Sequence, residues 1–267
     1  MALNIKPTTL AAAGALAALI VAERVWPLRR QVRPALPRNL RNAVLGASCA
    51  VVIAAVEDPL ARKVAVANER RGVGFARKLP SRMRFVGALA AMDCGFYLWH
   101  IATHKWPALW RFHRVHHIDP DMDASTALRF HTVDMLVSLP WRLVQTRLSG
   151  ATPAQYGAWR SFFTASVLFH HSNLRLPERF ERALSLVLTT PRMHGIHHSQ
   201  VVEEMDSNFT SGISLWDRLH GTFRSRPGQE AITIGVDDPR AEADLALPES
   251  LAAPFLSQPD TRGPATR

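Results

Sequence analysis

Residues 93–117 read DCGFYLWHIATHKWPALWRFHRVHH and hold five of the chain's twelve histidines. His100 and His104 are four apart, and His113, His116 and His117 follow at spacings of three and four. Residues three and four apart are neighbours on a helix surface, so each set falls on one helical face. Neutral imidazole is the commonest side-chain ligand for a transition metal and suits iron, zinc or copper. Asp93 and Tyr97 lie on the same face as the first pair. Asp93 interrupts the apolar run 85–101, where a carboxylate requires a partner in the protein interior. It reads as a residue that orients a ligand, the alternative being a cap on a buried polar network.

A second cluster of the same form, His194, His197 and His198, follows about eighty residues on. One His-x3-His pair arises by chance. His-x3-His with two copies of His-x2-His-His does not, and gives eight ligand candidates: His100, His104, His113, His116, His117, His194, His197 and His198. His131 and His171 are two further candidates; His170 and His220 are weaker ones. A structural zinc takes four ligands, so eight to ten histidines suit two metal ions.

Outward from this core, the apolar residues are unevenly spread. Residues 10–22, LAAAGALAALIVA, are uncharged and can be extended on both sides towards the ~20 residues of a membrane span. Glu23-Arg24 stands where a signal peptide would have small residues, which favours an uncleaved helix. Residues 43–56 form a second apolar run, short for a span. Residues 60–84 mix eight basic residues with Ala, Val and Phe, as expected of a segment on an anionic headgroup surface or of a solvated basic loop. Residues 133–148 carry Pro140, Arg142 and Arg147. With residues 154–169, which follow the helix start at Thr152-Pro153, they read as a bent hairpin entering the membrane. Residues 257–267 have the composition of a disordered tail. The chain divides into N-terminal membrane helices and basic linkers (1–84), a catalytic domain (85–226) and a polar extension (227–267).

The net charge is +10, mostly arginine, and apolar residues make up 47%. Beside apolar segments a basic excess points to a membrane surface, and no nucleic-acid signature accompanies it. Cys49 and Cys94 lie in apolar runs and read as buried thiols, which excludes iron–sulfur and cysteine–zinc chemistry.

Many neutral imidazoles at a membrane surface suit two Fe(II) ions that activate dioxygen against an unactivated C–H bond of a lipid. Zinc in the same ligands would instead activate water, with Asp119, Asp121 or Asp123 as a base. A membrane protein that keeps the metals for stability is a third reading.

Several stretches carry a resemblance. They are D-x3-Y-x2-H-x3-H (Asp93, Tyr97, His100, His104), LWRFHRVHH, the R-x-H of Arg129 and His131, FHHSN with His171 and Asn173, TPRMHGIHHS, and the closing W-D-x3-G-T of Trp216, Asp217, Gly221 and Thr222. Together they resemble the fatty acid hydroxylase/sterol desaturase superfamily of integral membrane di-iron enzymes. The resemblance implies an all-α, multi-pass membrane protein with three to four embedded helices and a cytoplasm-facing helical cap around a non-haem di-iron site, in which zinc is a possible substitute. It implies hydroxylation or desaturation of a lipid by O2. Electrons would come from a separate donor, a ferredoxin, cytochrome b5 or reductase, since no such domain is present in this sequence. Asp93 and Asn173 would orient ligands from behind. The chain departs from the family pattern in Thr132, where Pro often follows the histidine, and in His170, where Gln is common. Trp216 and Gly221 read as a structural anchor and a helix stop rather than as catalytic groups.

Overall fold

The computed structural model describes residues 7–226 and 228–257. Every regular element among them is helical; the only strand-like pairings are isolated bridges. The expected disordered tail lies, from residue 258 on, outside the described residues.

Helix α1 (Pro7–Val25) is followed by an extended link and α2 (Ala35–Val52). A π-helical turn, Ile53–Glu57, joins α2 without a break to α3 (Asp58–Arg71). The run 43–56 is thus the middle of a much longer helix. The two stretches Ala35–Lys78 and Ser81–Lys105 are long and apolar enough to cross a membrane, and their apolar windows are only 17% and 33% buried. Val44, Val51, Phe85, Val86 and Leu98 are among the exposed apolar side chains. The first half of the basic segment 60–84 is helix rather than loop. Ala61, Ala65 and Asn68 form a buried stripe along α3 at helical spacing. Asn68 donates to the carbonyls of Thr146 (2.8 Å) and Ala151 (3.3 Å), so α3 packs against the later hairpin while its arginines face outward.

Helix α4 (Arg84–Lys105) is the central element, packing on α5 (Pro107–His117), α6 (Thr132–Ser149) and α7 (Pro153–His171). The start of α7 is a capping box: Thr152 Oγ1 accepts from Gln155 N, and Gln155 Oε1 accepts from Thr152 N. Pro140 lies inside α6, which continues through it. Short helices follow: α8 (Glu178–Leu184), α9 (Pro191–His197), α10 (Val202–Met205), α11 (Leu215–Leu219) and α12 (Leu247–Ala252).

The segments on either side of this core are tied to it. Arg38, 1% exposed, reaches Asp119 (3.1 Å) and Asp123. Burial opposes the charge on Asp123, but Arg38, Ser125, Arg24 and Gln31 together outweigh it and hold the carboxyl below its ordinary value. Asp121 accepts from the Val32 and Arg33 amides. In the C-terminal extension Asp238 pairs with buried Arg114, and Ser250 accepts from Arg129.

Candidate metal centre

The fold brings nine histidines into two groups. In the first, His100 and His104 come from α4, His113 and His117 from α5, and His197 from α9. In the second, His116 comes from α5, His171 from the end of α7, and His194 and His198 from α9 and its C-cap. Within each group one nitrogen per residue lies within 4.8 Å of all the others, and every ring is buried. Helical geometry explains the division. His113 and His117 are four apart and share a face, as do His194 and His198. The intervening His116 and His197 are turned about 100° away and serve the other group.

Backbone carbonyls fix the tautomers. His100 Nδ1 donates to Phe209 O (2.6 Å), His197 Nδ1 to Ser207 O (2.8 Å), His171 Nδ1 to Val167 O (2.8 Å) and His116 Nδ1 to Arg129 O (3.2 Å). A carbonyl oxygen carries no proton, so each Nδ1 must hold one and each Nε2 presents a lone pair. Burial, then neighbouring imidazoles, push His116 and His197 well below the ordinary histidine value of 6.5, so their Nε2 atoms stay unprotonated. Yet His197 Nε2 lies 3.1 Å from His100 Nε2, and His171 Nε2 lies 3.0 Å from His116 Nε2. Two lone pairs facing each other at hydrogen-bond distance repel, unless a cation lies beside both.

The spacing fits such a cation. Nitrogens bound at about 2.0–2.1 Å and at right angles to one another are roughly 3 Å apart; the observed separations run from 2.9 to 3.2 Å. Neither nitrogen of buried His117 or His198 has a hydrogen-bond partner among the described residues. An all-imidazole donor set without thiolate suits iron, zinc or copper. The residues therefore fit two metal ions, one per group.

Other candidates are placed differently. His131 joins neither group. Its Nδ1 accepts from Val133 N (3.1 Å), capping α6, and its Nε2 donates to Leu251 O (3.2 Å), so both nitrogens are spent on the backbone. The Asn173 side chain exchanges two hydrogen bonds with the Arg29 backbone rather than with a histidine ring. His170 is buried 4.0 Å, ring to ring, from His194, outside the second group.

Asp93 works at one remove. It accepts from Ile213 N (2.9 Å) and Trp216 Nε1 (2.9 Å), and Tyr97 shares a hydrogen bond with Thr222. Asp217, on α11, accepts from the amides of Phe209 (2.9 Å) and Thr210 (3.1 Å) and from Thr222 Oγ1 (2.7 Å). The W-D-x3-G-T stretch thus clamps the loop whose carbonyls, Ser207 O and Phe209 O, orient His197 and His100. Gly212 is required there, since a Cβ would lie 2.3 Å from Asp93 Oδ1. Two carboxylates also stand behind the first group: Asp206, 3.7 Å from His104 Nδ1, and Asp134, 3.9 Å from His113 Nδ1. Their distance in sequence from the histidines they face hid this role; the signal was only that Asp134 is acidic inside an apolar helix.

A cavity of about 350 Å³ opens from His100, His113, His116, His171 and His194 and runs between α2, α4, α6 and α7, walled by Phe96, Met135, Phe163 and Val167.

Against known families, residues 85–222 match the fatty acid hydroxylase model. The chain belongs to the fatty acid hydroxylase family. Among curated members, ornithine lipid hydroxylase OlsE of Rhizobium tropici is 32% identical over 66% of this chain and 51% of its own length. Alkylglycerol monooxygenase of Danio rerio is 28% identical over 64% of this chain and 37% of its own. Human cholesterol 25-hydroxylase is 27% identical over 51% and 50%. The chain spans about half or less of the length of these relatives. No solved structure matches.

Proposed function

We propose that this family member is a membrane-embedded dimetal oxygenase that hydroxylates, or desaturates, a lipid at a C–H bond using O2 and electrons from a separate donor. The observation that carries the reading is the pair of buried imidazole groups, lone pairs converging, that line a mostly apolar cavity. The relatives named above are an ornithine lipid hydroxylase, an alkylglycerol monooxygenase and a cholesterol 25-hydroxylase, which support a lipid substrate without selecting one.

The proposed metals are two iron ions, with zinc as a possible substitute; bound there, they supply one-electron and O2 chemistry. The chain's own part is positional. Phe209 O, Ser207 O, Val167 O and Arg129 O hold four rings in the ligating tautomer. Phe96, Phe163 and Val167 exclude water and align an apolar chain against the histidines. The proposed ligands are the nine grouped histidines, with Asp134 and Asp206 behind them.

The long apolar helices and exposed apolar side chains support insertion in a bilayer, with α1, α2, α4 and the α6–α7 hairpin embedded and the histidines on the cytoplasmic side. The hydrolase reading has less support. Asp119 and Asp123 pair with Arg38, and Asp121 with two backbone amides, so none of these three bases faces the histidines; that reading would have to use Asp134, beside His113. Lipid mass spectrometry of cells with and without the gene tests the proposal. A lipid one oxygen atom heavier or two hydrogens lighter supports it; an unchanged lipid profile together with hydrolytic activity sinks it.

A further inference from the structure

The cavity has a second polar end that the oxygenase reading does not use. Glu57, Arg142 and Arg160 line it at the side away from the histidines. Arg142 lies eight residues along α6 from Asp134, about 12 Å of helix, and Arg160 lies eleven residues along α7 from His171, about 16 Å. The lining between them is mostly apolar, with Ser138 and Thr164 as polar exceptions.

Three charges are gathered here at a depth where charge is costly and calls for a partner. The π turn Ile53–Glu57 widens the helix by a residue and ends on Glu57, 2% exposed. Glu57 Oε1 is shared by Arg160 Nη1 (3.2 Å) and Arg142 Nε (3.3 Å). Arg142 is held in place by Gln145 (2.6 Å) and by the face of Trp159, 4.8 Å from its guanidinium. Asp58 meets Arg160 at 3.5 Å and accepts from Tyr156, but is not part of the cavity wall. The cluster as a whole, two guanidiniums with Glu57 and Asp58, is formally neutral, and the part of it that lines the cavity is the two guanidiniums with Glu57. Two planar forks that share one carboxylate oxygen keep donors to spare.

We propose that Arg142 and Arg160 form a headgroup subsite for the oxyanion, carboxylate or phosphate, of a single-chain lipid, whose apolar tail runs along the cavity to the histidines. Glu57 holds the two guanidiniums apart in the empty state and sets their spacing. The subsite fixes which carbon reaches the metals, because the head is anchored a set distance from them. The oxygenase reading enters only in what happens at the far end of the tail, so binding tests the subsite by itself.

The experiment is equilibrium binding to the full-length protein in neutral detergent, without turnover, using radiolabelled palmitate, hexadecyl phosphate and hexadecanol. At least one of the two anions binds about tenfold or more tighter than the alcohol, and the tighter one identifies the carboxylate or the phosphate as the source. Arg160→Gln, at a side chain 22% exposed, brings the anion to within about threefold of the alcohol, and Arg160→Lys restores part of the preference. Glu57→Gln removes a competing carboxylate and leaves the preference equal or greater, where a merely structural ion cluster would lose it. Equal affinity of the unaltered protein for all three probes overturns the proposal, as does an anion preference that survives Arg160→Gln. Anion preference in a protein that oxidises no lipid keeps the subsite and removes the oxygenase.

Discussion

His116 and His117 are consecutive on α5, yet His116 Nε2 lies 3.0 Å from His171 Nε2 in one group, while the His117 ring sits 4.7 Å from His104 in the other. A helix advances about 100° per residue, so a His-His pair spans two centres rather than chelating one. His197 and His198 repeat the arrangement on α9.

Single substitutions on either side of this divide should then remove different metals. His117→Ala should leave about one metal per chain, and His116→Ala should leave about one as well, while the double variant holds none. Metal analysis of purified protein checks this. Loss of both metals on either single substitution would mean one shared centre.

Acid should destabilise the metal-free protein. His116, His117, His194, His197 and His198 all lie well below the ordinary 6.5 because burial disfavours the imidazolium. In the unfolded chain they titrate near 6.5. The stability they contribute is therefore complete above about 6.5 and lost progressively as pH falls below it towards the folded values. Thermal unfolding at pH 7.5 and 5.5 in a chelator should show a lower Tm at the acid point, and an unchanged Tm would contradict the neutral, buried assignment.

The loop clamp gives a third prediction. Asp217→Ala leaves the Phe209 and Thr210 amides without their acceptor and should cost about 2–4 kcal/mol. It also frees the carbonyls that hold His100 and His197, so metal affinity should fall about tenfold to a hundredfold. Gly212→Ala, by pressing on Asp93, should weaken metal binding in the same direction. Denaturant unfolding and metal titration on the two variants separate the two effects.

Arg38 bridges Asp119 and Asp123 with almost no exposure of any of the three. Removing one partner of a buried pair strands the others, so Arg38→Ala should cost about 3–5 kcal/mol. Urea unfolding measures it; a cost below about 1 kcal/mol would show that water reaches the carboxylates.

Much of the site was legible from spacing alone: both histidine clusters and the presence of Asp93 on the first. The expectation that each cluster shares one helical face does not hold, because His116 and His197 are turned about 100° from their neighbours and join the other group. His131 was not, because an N-cap and a metal ligand use the same imidazole lone pair, and what decides between them is where Leu251 comes to lie. Asn173 adjoins a ligand in sequence but faces Arg29, far upstream. The partners of Asp93 are more than a hundred residues away, and no local pattern links them. Within residues 60–84, which read as a basic headgroup-surface segment or loop, Ala61, Ala65 and Asn68 mark a buried helical stripe, and their small size weakened the signal.

The most direct test of the account is the source of the oxygen. Cells expressing the protein, or its His197→Ala variant, are grown under heavy-oxygen gas and their lipids analysed by mass spectrometry. The account predicts a lipid carrying one heavy oxygen atom, or one lacking two hydrogens, that disappears in the variant and under strict anaerobiosis. A modified lipid that forms without O2, or takes its oxygen from water, would contradict it.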